Sequence, residues 1–165
     1  MPQLLFLQGY PGSGKTTLSR LLAERLGWNH IDRDQLGTSD IEDDAQERAE
    51  AYRRLRAKLN KTIAEGRNAI VDAPYLYELA DGSFVEEALQ YRVPYLAVWV
   101  TADRQERIRR RTLRQAPWDL VDLEAAVEEE EREYGPPPGW RVLHTDQMST
   151  EEAVDLLAVM VGENN

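Results

Sequence analysis

The spacing of apolar residues changes period repeatedly along the chain, and each change marks an element. Leu4, Leu5, Phe6 and Leu7 run without a polar break, as a parallel strand does when both its faces are covered, so residues 3–8 are expected as a first strand. From residue 15 the pattern becomes helical, with Leu18, Leu21, Leu22 and Leu26 recurring on one side and Gly27 standing as a stop signal. Residues 28–31 then read as a second strand. Residues 45–65 form a long amphipathic helix whose stripe is Tyr52, Leu55, Leu59 and Ile63, ended by Gly66.

The alternation continues to the end of the sequence. Strands are expected at 68–72, 95–100 and 140–143, and helices at 84–91, 103–114, 120–134 and 150–161. Strands alternating with helices predict an α/β fold, a parallel sheet with right-handed crossovers whose site lies at the carboxyl ends of the strands. The run Gly135-Pro136-Pro137-Pro138-Gly139 resembles a linker. With so few residues after it, it reads better as a stiff loop before the last strand and helix, leaving one domain over residues 1–165.

Composition narrows the class. Hydrophobic residues at 42% with 30% charged residues are globular values, and cysteine is absent, which removes disulfides, thiolate metal sites and cysteine nucleophiles together. No apolar run is long enough for a membrane helix and no secretory signal opens the sequence, so a cytoplasmic protein is expected. The net charge of −10 argues against a broad phosphate-backbone footprint and hence against a nucleic-acid substrate.

The most specific motif is Gly9-Tyr10-Pro11-Gly12-Ser13-Gly14-Lys15-Thr16, which joins the first strand to the first helix. Its glycines permit a tight turn close to an anion, and successive backbone N–H groups point at phosphates together with the helix N-terminus. This is a Walker A loop, implying ATP and Mg²⁺. Gly12, Ser13, Gly14, Lys15, Thr16 and Thr17 are the expected nucleotide contacts, with Lys15 bridging the β- and γ-phosphates and Thr16 ligating Mg²⁺.

Two acidic positions follow at strand ends. Ile31-Asp32-Arg33-Asp34 falls where the second strand stops, where a carboxylate can accept a proton from a hydroxyl or hold Mg²⁺ through water. The alternative is a solvated cluster capping the next segment. Asp72 ends the third strand, and a cap for the Ala73-Pro74 turn competes there with a metal or substrate role.

Together with Gly66-Arg67-Asn68-Ala69-Ile70-Val71-Asp72 and the arginine-rich helix, these motifs resemble a family of small P-loop kinases. That family spans AAA-type proteins, zeta toxins, phage-type polynucleotide kinases and chloramphenicol phosphotransferase. The resemblance implies a three-layer P-loop kinase fold: a five-stranded parallel sheet flanked by helices, an acceptor-side helical region at about 36–66 and a short arginine-rich lid at about 107–122. It implies Asp34 as general base, Asp32 near the magnesium, and Asp72 in contact with the metal shell or the substrate. Phage-type polynucleotide kinases carry an arginine three residues after the base, where this chain has Gly37; that turns the expected acceptor from a polynucleotide to a small molecule.

Arg104, Arg107, Arg109, Arg110, Arg111 and Arg114 crowd one helix. Lid arginines can stabilise the charge that phosphoryl transfer spreads over equatorial oxygens, and Arg107, Arg111 and Arg114 share a face; the resemblance, whose kinases place lid arginines on this segment, implies Arg107 and Arg111 in catalysis and Arg107 and Arg114 on the nucleotide. Pairing with the acidic stretch 128–131 is the plain alternative for any one of them. His30 and His144 read as packed or surface histidines, with no partner spacing that suggests a metal site. Tyr75, Tyr77 and Trp118 could line an acceptor pocket or simply pack, and the acidic loop at 40–44 could favour a cationic acceptor or be only solvated.

The leading expectation is an ATP- and Mg²⁺-dependent phosphotransferase acting on a hydroxyl of a small molecule. The alternatives are a polynucleotide or nucleoside 5′-hydroxyl kinase and an ATP-binding switch without an acceptor.

Overall fold

The computed structural model describes residues 1–36, 45–73, 88–114 and 122–163. Its order is β1 (Leu4–Gly9), α1 (Lys15–Leu26), β2 (Asn29–Asp32), a 3₁₀ turn (Asp34–Leu36), α2 (Ala45–Ala64), β3 (Ala69–Asp72), β4 (Tyr95–Thr101), α3 (Arg104–Arg114), α4 (Leu123–Glu133), β5 (Arg141–His144) and α5 (Thr150–Glu163). Five parallel strands form one sheet in the order β2-β3-β1-β4-β5.

Central β1 is buried along its whole length, which is why its sequence is continuously apolar rather than alternating. Leu4 and Phe6 face one layer and Leu5 and Leu7 the other, as a period of two requires. The first layer is closed by the stripe Tyr52, Leu55, Leu59 and Ile63 of α2. The second is closed by Leu18 and Leu22 of α1 and by Ala153, Val154, Leu157 and Val161 of α5. This is the expected three-layer α/β architecture.

Differences from the expected boundaries have local causes. Strand β2 runs one residue further, placing Asp32 inside the ladder against Asp72. Helix α4 begins after Asp122, whose carboxylate accepts the N–H groups of Glu124 and Ala125, so the cap rather than the apolar pattern sets its start. Of the helix expected at 84–91, residues 88–90 are helical and 84–87 lie outside the described residues. The same holds for residues 115–121 of the expected lid, for the loop at 40–44, and for Gly37, Tyr75, Tyr77 and Trp118. Among the described residues no helix is long and apolar enough to cross a membrane.

Candidate active site

The turn between β1 and α1 requires glycine at two positions for different reasons. At Gly9, with φ of 146°, a Cβ would stand 1.9 Å from the Val100 carbonyl oxygen, so no side chain fits beside β4. At Gly12, with φ of 77°, a Cβ would meet the Arg107 carbonyl oxygen at 2.9 Å and Arg111 Cγ at 3.1 Å, because the turn is seated directly on α3. Gly14 precedes α1 in the left-handed region.

Side chains hold this turn from below and beside. The Lys15 ammonium donates to the Tyr10 carbonyl at 3.1 Å, and the Tyr10 hydroxyl donates to the Tyr134 carbonyl. The Tyr10 ring lies edge-on to Trp99 at 5.2 Å and under the Arg107 guanidinium at 4.3 Å. Thr145, just after β5, donates to the Ser13 carbonyl at 2.7 Å and accepts from Arg110 at 2.8 Å.

Parallel register brings the acids to the same edge. Asp32 pairs with Asp72 across β2 and β3, and both are buried. The Asp34 N–H donates to Asp32 Oδ1 at 2.9 Å, a local turn that lifts the Asp34 carboxylate into solvent, where Arg33 holds it at 3.2 Å. Arg33 is itself fixed over the Tyr52 ring of α2 at 5.3 Å.

Charge at this edge is strongly desolvated. Burial, and then the Asp72 carboxylate beside it, push the Asp32 carboxyl up from its ordinary value. Burial pulls the Lys15 ammonium down, against the attraction of Asp72 and Asp34. Glu130 of α4 is also pushed up by burial, a shift partly offset by Arg111 and Arg107.

The arginines of α3 divide into two sets. Arg107 is fully buried, donates to Glu130 at 3.3 Å and pairs with Glu131. It is not among the residues that line the cleft, unlike the nucleotide and catalytic place that the resemblance implied. Its helical face points at the acidic side of α4, which is the pairing with residues 128–131 that was the plain alternative. Arg111 pairs with Glu130 at 2.8 Å yet lines the cleft, as do Arg114 and Arg110.

These groups surround one cavity of about 520 Å³. Gly12, Gly14, Lys15, Thr16, Thr17, Asp32, Asp34, Asp72, Arg110, Arg111, Arg114 and Glu130 all line it. Ser13, also expected on the nucleotide, has its side chain buried and its N–H directed at the Tyr10 carbonyl at 3.2 Å. A second cavity of about 250 Å³ shares Gly14, Thr17 and Arg110 with the first and extends between Glu106, Arg109, Thr145, Ser149 and Thr150. A cleft that gathers Lys15, Arg110, Arg111 and Arg114 around the phosphate loop, with carboxylates beside them and Asp34 facing solvent, suits transfer of a phosphoryl group.

Three lining or neighbouring residues escaped the reading of the sequence. Arg110 was one arginine among six, and its selection depends on Thr145 arriving from β5. Glu130 lay in an acidic run that looked solvated. His30 stands with its Nε2 at 3.8 Å from Asp72 Oδ2, and with Asp32 and Asp72 it forms a group whose donor atoms lie within 4.8 Å of one another. The only sequence signal was its position two residues before Asp32 on one strand, which puts both on one face.

Residues 4–137 match the model of a protein family described as an AAA domain. The chain is 38% identical over 76 residues to a shikimate kinase of Moorella thermoacetica, covering 43% of this chain and 44% of that one. It is 32% identical over 113 residues to a shikimate kinase of Synechococcus elongatus, covering 64% of this chain and 56% of that one. It thus spans about half the length of these relatives. A crystal structure of a putative kinase from Chloroflexus aurantiacus superposes with a TM-score of 0.72 at 22% identity, covering 96% of this chain and 97% of that one.

Proposed function

The chain belongs to this AAA-domain family, and on that premise we propose that it is an ATP-dependent kinase that moves the γ-phosphoryl group to a hydroxyl of a small polar molecule. The observation that carries the reading is the single cavity in which the phosphate loop, the arginines of α3 and the exposed Asp34 converge. Shikimate kinases among the relatives and the net charge of −10 both favour a small acceptor over a polynucleotide.

The geometry supports a role for each group. Backbone N–H groups at 12–17 cradle the phosphates, and Lys15, already desolvated, pairs with the β- and γ-oxygens. Arg111 and Arg114 face the cavity and stabilise the charge that spreads over the transferring group, while Arg110 braces the turn through Thr145. Nucleoside binding falls to the adjoining cavity, which shares Gly14 and Thr17 with the first.

Asp34 acts as the base. The acceptor hydroxyl gives it a proton as the oxygen attacks the γ-phosphorus, and the bond to the β-phosphate oxygen breaks to release ADP. Its exposure leaves room for an acceptor at the rim. Thr16 and Asp32 would hold Mg²⁺; a hydroxyl and a buried carboxylate on the same cavity wall are the oxygen donors such an ion takes. An ion held there would supply charge neutralisation to the phosphates. Asp72 faces the same cavity and would contact the metal shell or the acceptor.

The test is an ADP-release screen against shikimate, sugars, nucleosides, aminoglycosides and 5′-hydroxyl oligonucleotides. A small hydroxylated acceptor should raise turnover well above basal hydrolysis, and Asp34→Asn should abolish that increment. Failure of every acceptor, or stimulation by the oligonucleotides alone, would overturn the assignment.

A further inference from the structure

Strands β2 and β3 place an imidazole and two carboxylates on one face of the sheet, the side covered by α1. His30 and Asp32 are two residues apart on β2, and Asp72 stands opposite Asp32 on β3, so His30 and Asp72 are diagonal neighbours. Asp72 is only 3% exposed. Among the described residues neither His30 Nε2 nor Asp72 Oδ2 has a hydrogen-bond partner. Buried polar atoms are normally satisfied, and two that face each other at this distance can be satisfied together by one ion held between them.

The spacing suits a shared ion. His30 Nε2 and Asp72 Oδ2 are 3.8 Å apart, too far for a hydrogen bond but right for two donors of one ion. At bond lengths of about 2.1 Å, such donors stand between about 3 and about 4.2 Å apart. All three donor atoms lie within 4.8 Å of one another, a gap that small rotations of the carboxylates close. The Lys15 ammonium, whose charge interacts with Asp72, is tied to the Tyr10 carbonyl at 3.1 Å, and among the described residues no lysine or arginine forms an ion pair with Asp32 or Asp72.

We propose that His30, Asp32 and Asp72 form a binding site for a first-row transition dication, at the sheet side of the phosphate loop. A neutral imidazole nitrogen beside two carboxylates prefers such an ion over Mg²⁺, which favours oxygen donors and gives up water reluctantly. The site needs neither nucleotide nor Thr16, and it does not rest on the kinase reading, although Asp32 is common to both. Its donors come from two rigid neighbouring strands, so the site is preformed.

The experiment uses the full chain without nucleotide, titrated with Mn²⁺ alone and followed by electron paramagnetic resonance. One equivalent should bind, resist a hundredfold excess of Mg²⁺, and show spin-echo modulation from a directly bound ¹⁴N. His30→Gln should remove that modulation and weaken binding at least tenfold, Asp72→Asn should weaken it similarly, and Thr16→Ala should change neither. Binding without ¹⁴N modulation, binding lost in Thr16→Ala, or no stoichiometric binding would each overturn the site. Should His30→Gln fail to fold by circular dichroism, the ¹⁴N signal of the unaltered chain and the Asp72→Asn titration still decide. A kinase that fails this test keeps its proposed activity, and a chain that binds Mn²⁺ through His30 without phosphorylating any acceptor keeps the site.

Discussion

Replacing Gly12 by alanine measures how closely the phosphate loop is seated on α3. The native φ of 77° is one that an L-residue adopts only at a cost of about 1–2 kcal/mol. The new methyl would also stand 2.9 Å from the Arg107 carbonyl oxygen, which is helix backbone and cannot rotate away. Overpacking of this kind costs about 1–3 kcal/mol. The two contributions together amount to about 3 kcal/mol, which lowers Tm by about 6–12 °C in a chain of this size. Gly27 supplies the control. It caps α1 with φ of 66° and has no atom within 4 Å of where its Cβ would be, so Gly27→Ala carries the conformational cost alone, about 1–2 kcal/mol. Urea and thermal melts of both variants give the difference directly. Kinetics should separate them further: displacement of the loop in Gly12→Ala lowers kcat/KM on the order of 100-fold, while Gly27→Ala keeps it. Equal destabilisation by the two substitutions would show that the contact with α3 is not tight and that the seating described above is wrong.

Other perturbations test separate parts of the site. Lys15→Ala should lower kcat for ADP release on the order of 100- to 1000-fold, as removal of a positioned charge does, with the melting curve retained; an unchanged kcat would exclude Lys15 from the phosphates. Asp34→Asn should lower kcat on the order of 100- to 10,000-fold through loss of the base, with little change in KM for ATP, read from initial rates at saturating acceptor. Arg107→Ala leaves Glu130 with Arg111 as its remaining partner and removes the cation from the Tyr10 ring, a loss of about 1–3 kcal/mol; a Tm within a degree of the original would contradict its supporting place. For Asp32, whose folded carboxyl keeps its proton to higher pH than the unfolded value of 3.8, the native state binds more protons above that pH. Its contribution to stability therefore falls as pH rises from about 4 through the folded pKa, so the stability of Asp32→Asn relative to the original chain should increase across that window in urea melts. A flat difference would refute the assigned burial.

Much of the molecule was written in local pattern. A continuous apolar β1, a glycine turn and a leucine-striped α1 specify strand, anion-binding loop and helix within the first 26 residues, because each depends on neighbours in sequence. The same is true of α2, whose four stripe residues are all buried, and of acids at strand ends, since a carboxylate that closes a parallel strand lies at the reactive edge.

What tertiary structure alone decided are the pairings between distant segments. The order β2-β3-β1-β4-β5 sets Asp32 against Asp72, and the same register brings His30, already on the face of Asp32, near Asp72. Arg107 and Arg111 share a helical face, so periodicity could not separate them; Glu130 and Glu131, arriving on α4, bury one and leave the other at the cavity. Arg110 acquires its place only when Thr145 comes off β5. Sequence fixes a side chain's period along its own element, whereas its exposure, partners and charge state follow from which element packs against it, and that is settled only by the whole fold.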